Sequence, residues 1–295
     1  MIDLLIVFNF GLCVGSFLGV LIYREAVEEP GSKSQTAGEA KKKRTREAKK
    51  GIGLTKYLPS WVWGRSYCDN CKKPIAWHDN IPLLSYFLLK GRCRYCKKKI
   101  SLQYPLLELM TGIEFVWVYL LVRQNLNFFS QFEGFYSFIL LVFWLFLGAL
   151  MLMILWSDFK YQIIPDSAIM LGVFLALGKY YFTYLYTGYI AWSFIPASLG
   201  AFFFFLAIIL ITGGKGMGFG DAKLAFVMGL LLGFPGILVA IFLAFLTGGL
   251  TGVILLLSGK KKLKEAVAFG PFLVFGFFIA QFWGKKILNW YLGLI

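Results

Sequence analysis

Apolar runs long enough to cross a bilayer recur along the whole 295-residue chain, and they restrict it to a membrane-embedded fold. Eight segments can be read: Ile2–Tyr23, Tyr104–Val122, Phe135–Trp156, Ser167–Tyr184, Tyr189–Ile211, Ala222–Leu232, Pro235–Leu257 and Ala266–Leu288. The sixth is short and reads as a partial span. Lipid offers no partners for backbone N–H and C=O groups, so such runs fold as helices. The expected class is an all-α polytopic membrane protein of about eight transmembrane helices with one small cytoplasmic domain. Composition agrees, with hydrophobic residues at 59%.

Loop charge sets the expected orientation, because Lys and Arg accumulate on the cytoplasmic side. With the N-terminus outside, the loops after the first, third, fifth and seventh segments become cytoplasmic. Those loops and their flanks hold all of the 30 Lys and Arg except Arg123, Lys179, Lys285 and Lys286. Both termini are therefore expected outside. The first segment lacks the basic n-region and small-residue cleavage site of a signal peptide, so it reads as a retained helix.

Residues 24–103 form the one sizeable soluble stretch, and its composition changes midway. From Glu28 to Lys56 it is rich in Lys, Glu, Gly and Ser, a composition that cannot offset the entropy of ordering and predicts a disordered linker. Its centre, Lys41–Lys50, is strongly basic; it reads as a solvated linker or as a contact for anionic lipid headgroups. No nucleic-acid-binding module accompanies it, so membrane lipids, and not nucleic acid, are the expected partners.

Residues 64–103 hold two Cys-x-x-Cys knuckles, Cys68/Cys71 and Cys93/Cys96, separated by 21 residues. That spacing suits a four-thiolate zinc site, and in a reducing cytoplasm paired cysteines serve more often as metal ligands than as disulfides. Redox dithiols or disulfides are the alternative. Lys72, Lys73, Arg92, Arg94 and Lys97 surround the knuckles and would offset the negative charge of the thiolates. Four sulfur ligands leave no open position, so the expected zinc is structural. Cys13 reads as a buried, inert thiol within the first helix. His78 is the single histidine and has no expected catalytic role, which also weakens the case for Ser/His or Cys/His chemistry.

Two aspartates end up beside apolar segments. Asp158 closes LMLMILWSD and Asp221 closes GGKGMGFGD, both at the expected cytoplasmic face. Ionisable groups in such places are expensive and point to function. The glycine run lacks the order of a phosphate-binding loop. Gly216, Gly218 and Gly220 instead predict a bare backbone that lets another chain approach Asp221. In SDFKYQIIPD, Pro165 should start a helix, with Asp166 as an acid in its first turn. Asp158 at a helix C-terminus opposes the dipole, whereas Asp221 at an N-terminus is favoured as an anion. Asp221 is accordingly the expected base, Asp158 the expected acid, and Asp166 a capping residue.

Taken together, GLCVGSFLGVLIYR (Gly11–Arg24), the cysteine-bearing stretch Gly64–Gly112, DFKYQIIPD (Asp158–Asp166) and GMGFGDAKL (Gly216–Leu224) carry a resemblance. The chain resembles the type IV prepilin peptidases, intramembrane aspartyl proteases with a glycine-x-glycine-aspartate signature. The resemblance implies Asp158 and Asp221 as catalytic pair, with cleavage of short basic leaders from prepilins and pseudopilins at the cytoplasmic face of a bacterial inner membrane. It also implies methylation of the new N-terminus from S-adenosylmethionine by the region from Gly11 through the knuckles. The domain plan is then helix 1 at 1–23, a methyltransferase-like loop at 24–103 and a peptidase domain at 104–295. Gly19 stands where the family usually carries asparagine, and the 28–56 insertion is long. Glu108, opening a helix beside the zinc domain, is the preferred candidate to contact a cationic ligand or the substrate amine, ahead of Glu25, Glu28, Glu29 and Glu114. The alternatives are a peptidase without methyl transfer, a proton- or cation-coupled transporter, which would place carboxylates at the midplane, and a zinc-ribbon scaffold, which would not need the aspartates.

Overall fold

A computed structural model describes residues 2–28, 66–68, 70–124, 134–190, 192–214, 216–259 and 268–293. The basic cluster Lys41–Lys50 and Lys215 of the glycine run lie outside the described residues. The helices are α1 (Ile2–Glu28), α2 (Leu84–Leu88), α3 (Gln103–Gln124), α4 (Gly134–Tyr161), α5 (Asp166–Thr187), α6 (Phe194–Ile211), α7 (Phe219–Leu232), α8 (Gly236–Leu257) and α9 (Gly270–Leu292). Among the described residues no β-strand forms, only two isolated bridges.

Among the described residues, seven helices are long and apolar enough to cross a membrane. The expected eighth segment is α7, whose 14 residues reach about 21 Å at 1.5 Å per residue, short of the ~30 Å hydrocarbon layer. It is the partial span that its length foretells. By contacts the chain divides into two compact units, Met1–Ala149 and Leu150–Ile295, with the boundary inside α4.

In the first unit α1 packs on α3 through small residues, which let two backbones come close without a hydrophobic driving force. A Cβ on Gly11 would lie 2.8 Å from the Gly112 Cα, and one on Gly15 would lie 2.8 Å from the Glu108 Cα. Phe115, Leu107 and Thr111 are buried in this seam. Gly19 lies at its end, where an added Cβ would come 3.2 Å from the Tyr104 ring.

In the second unit the short helix α7 is the hub. It touches α5, α6, α8 and α9, and its buried residues run from Asp221 to Leu231. Close crossings again use glycine: Gly229 of α7 against the Ser198 backbone of α6, Gly172 of α5 against Val227, and Gly276 of α9 against Ala240 of α8. The last carbonyls of a helix have no partners within it. Lys179 of α5 donates to the Leu231 carbonyl (2.7 Å) and the Tyr180 hydroxyl to the Leu230 carbonyl (2.8 Å). Loop-charge counting treats Lys179 as a displaced cation; in the fold it caps α7.

Candidate active site and metal centre

Asp158 lies in the last turn of α4 and Asp221 in the first turn of α7, with 6% and 8% of their surfaces exposed. The two carboxylates are near enough for the charge of Asp158 to act on Asp221. Asp221 Oδ2 accepts the N–H of Gly218, the residue that caps α7 (3.1 Å), so the acid is held by the start of its own helix. Asp158 Oδ2 accepts the N–H of Gly270, the first residue of α9 (2.8 Å). A Cβ on Gly270 would sit 2.7 Å from that oxygen, closer than real contacts allow. Pro271 follows and has no N–H of its own to offer.

This contact changes the electrostatic argument about Asp158. Along the sequence the residue sits at the negative end of α4, which disfavours an anion. In the fold its carboxylate meets the positive end of α9, which favours one. The premise that assigned Asp158 the acid role and Asp221 the base role is therefore lost.

Around the aspartates, the segment after α4 turns at Gln162, with φ of 54°, and brings Ile164 against Gly220. A Cβ on Gly220 would lie 3.2 Å from the Ile164 Cβ. The chain that approaches Gly220, next to Asp221, is thus the protein's own IIPD segment. Gly213 and Gly214 supply left-handed turns (φ 59° and 73°) at the end of α6. Gly216 sits over the Thr212 side chain and Gly218 beside the Asp221 carboxylate. Asp166 does more than start α5: it forms an ion pair with Lys223 of α7, tying the two aspartate-bearing segments together.

In the first unit the sulfur atoms of Cys68, Cys71, Cys93 and Cys96 all lie within 4.8 Å of one another, positioned to hold a metal ion. The two knuckles share one backbone plan. Lys72 and Lys97 take left-handed turns (φ 56° and 58°), and each donates back to its leading cysteine, Cys68 or Cys93. The Lys98 backbone N–H stabilises the Cys96 thiolate and brings its pKa down to about 6, while burial pushes the Cys68 thiol up to about 11. Arg94, next to Cys93, forms a two-pronged pair with Asp79 (2.6 and 2.8 Å) that holds Asp79 below the usual carboxylate range. Cys13 is exposed on α1 and not buried as expected, and His78 stands beside Asp79, its Nε2 3.7 Å from Oδ1.

Glu108 is buried, but its Oε2 is engaged by the N–H of Leu83 (2.8 Å), and Ser16 hydrogen-bonds to the same carboxyl. Leu83 has φ of 56°, a strained setting for leucine. Glu108 thus anchors the strained start of α2 to α3. Glu114 is the buried carboxylate without a hydrogen-bond partner among the described residues, facing Gly148 of α4 where any side chain would collide with it.

Of these residues, Gly270 and Lys179 escape sequence reasoning. AFGPF signals a helix start and nothing about what that start faces, since its partner lies 112 positions away.

Comparison with known proteins follows the same division. A family model described as the Bacterial Peptidase A24 N-terminal domain matches residues 9–122, and one described as the Type IV leader peptidase family matches residues 145–253. A prepilin leader peptidase/N-methyltransferase of Legionella pneumophila is 31% identical over 98% of this chain and 94% of its own length. Proteins with the same description from Aeromonas salmonicida and Pseudomonas aeruginosa are each 31% identical, over 98% and 96% of this chain and 94% and 91% of theirs. No solved structure matches. The transporter reading finds no support in these relatives. With two buried aspartates meeting at helix starts, two cysteine knuckles and full-length relatives, this chain belongs to the type IV leader peptidase family.

Proposed function

We propose that the protein is a multi-pass inner-membrane endopeptidase that removes the short basic leaders of prepilins and pseudopilins, and that it methylates the amine so exposed. The observation that carries the peptidase reading is the pair of buried carboxylates, each held through Oδ2 by a backbone N–H at a helix start. The Oδ1 atoms are then free for water and the scissile carbonyl. Two neighbouring carboxylates cannot both ionise easily, so they share one proton and titrate as a pair. The ionised member takes a proton from water, and its partner protonates or hydrogen-bonds the carbonyl. No covalent enzyme intermediate is needed. Both aspartates lie near helix ends, which suits a reaction that needs water, and the basic-loop pattern supports a cytoplasmic site with both termini outside. Glycines 216, 218 and 220 shape the loop before Asp221, through which substrate reaches the pair.

For the cysteine site the metal proposed is zinc. A tetrahedron of thiolates at ~2.3 Å from zinc has edges of about 3.8 Å. The Cys68 and Cys96 sulfurs are 3.8 Å apart. All four ligands are sulfur, so zinc would hold the two knuckles together and take no part in hydrolysis. The methyl donor implied by the relatives' description is S-adenosylmethionine, which when bound supplies an electrophilic methyl on a cationic sulfur. A buried carboxylate without a partner suits such a cation, and Glu114 meets that condition better than Glu108, whose Oε2 is already engaged. The domain plan proposed accordingly is methyl transfer in the loop 24–103 with α1 and α3, which flank it, and proteolysis in the rest of the segment 104–295, with anionic lipid meeting Lys41–Lys50.

The test is leader removal from a co-expressed prepilin by Asp158→Ala and Asp221→Ala separately. Each variant should leave the leader in place while still inserting in the membrane. Full processing by either one would remove the peptidase reading.

A further inference from the structure

We infer that Gly270 is a positioning residue for hydrolysis, and that its N–H, at the start of α9, makes Asp158 the ionised base and leaves Asp221 as the proton-bearing acid. The inference rests on the aspartate-pair reading above. Three observations carry it. The Gly270 N–H meets Asp158 Oδ2 at 2.8 Å, within the short range of charge-assisted hydrogen bonds, whereas Gly218 meets Asp221 at 3.1 Å. The donor belongs to the first residue of a 23-residue helix, one of the few backbone N–H groups there without an intrahelical acceptor. And the contact exists only because Gly270 lacks a Cβ, which would lie 2.7 Å from Oδ2 and 3.0 Å from the carboxyl carbon.

Each aspartate accepts a backbone N–H, but the two donors differ in how they aim. Gly218 caps α7 from within the same turn, and Asp221 returns a hydrogen bond from its own N–H to the Gly218 carbonyl. Asp158 instead faces the end of a separate helix, with its carboxylate oxygen on the first residue's N–H. Each charge thus lies within the first turn of a helix dipole, α7 for Asp221 and α9 for Asp158, and the shorter hydrogen bond to Asp158 decides between them. Among the described ionisable side chains, Asp158 is the one whose charge acts on Asp221. Lys223, two residues after Asp221, is committed to Asp166.

In the resulting step, Asp158 takes one proton from water as the water oxygen bonds to the scissile carbonyl carbon. Asp221 delivers its proton to the carbonyl oxygen, which gives a neutral tetrahedral diol. Asp221, now ionised, takes a proton back from one hydroxyl as the C–N bond breaks, and Asp158 passes its proton to the leaving nitrogen. Water is consumed, both carboxyls return to their starting states, and nothing is oxidised or reduced.

The experiment uses the full-length protein in proteoliposomes with a synthetic prepilin. Gly270→Ala introduces the colliding methyl group; replacement of Gly270 by glycolic acid keeps the volume and deletes only the N–H. Gly284→Ala, on the same helix, is the control, since its Cβ would meet only Ala280 at an ordinary 3.7 Å. The glycolate variant should lose about ten- to a hundredfold in kcat with KM little changed, and Gly270→Ala should lose at least as much. Gly284→Ala should match the parent. Without its donor the Asp158 anion is harder to maintain, so the acid limb of the pH–kcat/KM profile should move to higher pH while the basic limb stays. Movement of the basic limb instead would make Asp158 the acid, and a glycolate variant with parental kcat and profile would give Gly270 no role; either outcome overturns the inference. A dead Asp158→Ala beside such a glycolate variant would leave the aspartate-pair reading standing, whereas an active Asp158→Ala would remove that reading itself.

Discussion

Lys179 puts a cation where α7 ends, and the placement has an energetic reason. Its ammonium meets the Leu231 carbonyl, one of the last carbonyls of α7, which have no partner in a following turn of helix. Lys179→Met should therefore leave that carbonyl unpaired and cost about 1–3 kcal/mol. Thermal unfolding in detergent should fall accordingly, and Lys179→Arg should recover part of the loss. An unchanged transition in the Met variant would mean that the cap adds nothing. At the same scale, Gly220→Val should push Ile164 off the start of α7 and cut leader removal at least tenfold, read as kcat on purified protein. Individual residues differ sharply in how well the sequence announces them. Asp158 and Asp221 stand out because carboxylates beside apolar runs are costly and sit in recognisable local strings. Gly270, Lys179 and the partner of Asp166 do not, because each acts on a residue far away in the chain, and no local pattern encodes which helix end meets which side chain.

Helices are where patterning speaks most plainly. Among the described residues, length and apolarity match the seven helices long enough to span to within a few residues, and the short run Ala222–Leu232 matches the short helix α7. What periodicity could not supply was the packing order. Most of α7 is buried, from Asp221 to Leu231, so no narrow apolar stripe marks one packing face. Crossings depend instead on single glycines. Gly15→Leu should wedge α1 from α3, since even a Cβ would lie 2.8 Å from the Glu108 Cα; overpacking of this kind costs about 1–3 kcal/mol. Lower detergent-solubilised yield and an earlier unfolding transition would report it, and parental behaviour would count against the seam. In the cysteine domain the spacing of the knuckles was legible, while the left-handed turns at Lys72 and Lys97 that close them were not, because lysine gives no local signal for such a backbone. Purified protein should carry about one zinc per chain by elemental analysis, and Cys68→Ser or Cys96→Ser should lose most of it. Full zinc content in both variants would exclude the four-thiolate site.

Across the whole molecule, the two family matches fall on different stretches, residues 9–122 and 145–253, and the chemistry divides in the same way. In the proposed reading the aspartates carry proteolysis in one, while cysteines and a buried glutamate without a hydrogen-bond partner among the described residues characterise the other. The activities should therefore separate by mutation. Glu114→Gln keeps the side-chain shape but removes its charge; it should reduce labelled methyl transfer to an already cleaved pilin while leaving leader removal intact. Equal loss of both activities would point to a packing role for Glu114 alone. The central claim, that Asp158 and Asp221 together perform hydrolysis, is tested most directly by single-turnover cleavage of a synthetic prepilin in proteoliposomes containing Asp158→Asn or Asp221→Asn. Each substitution preserves size and removes a titrating carboxyl, so the account predicts a fall of at least a thousandfold in cleavage rate for either variant with substrate binding retained. Cleavage by either variant at a rate near that of the parent would contradict it.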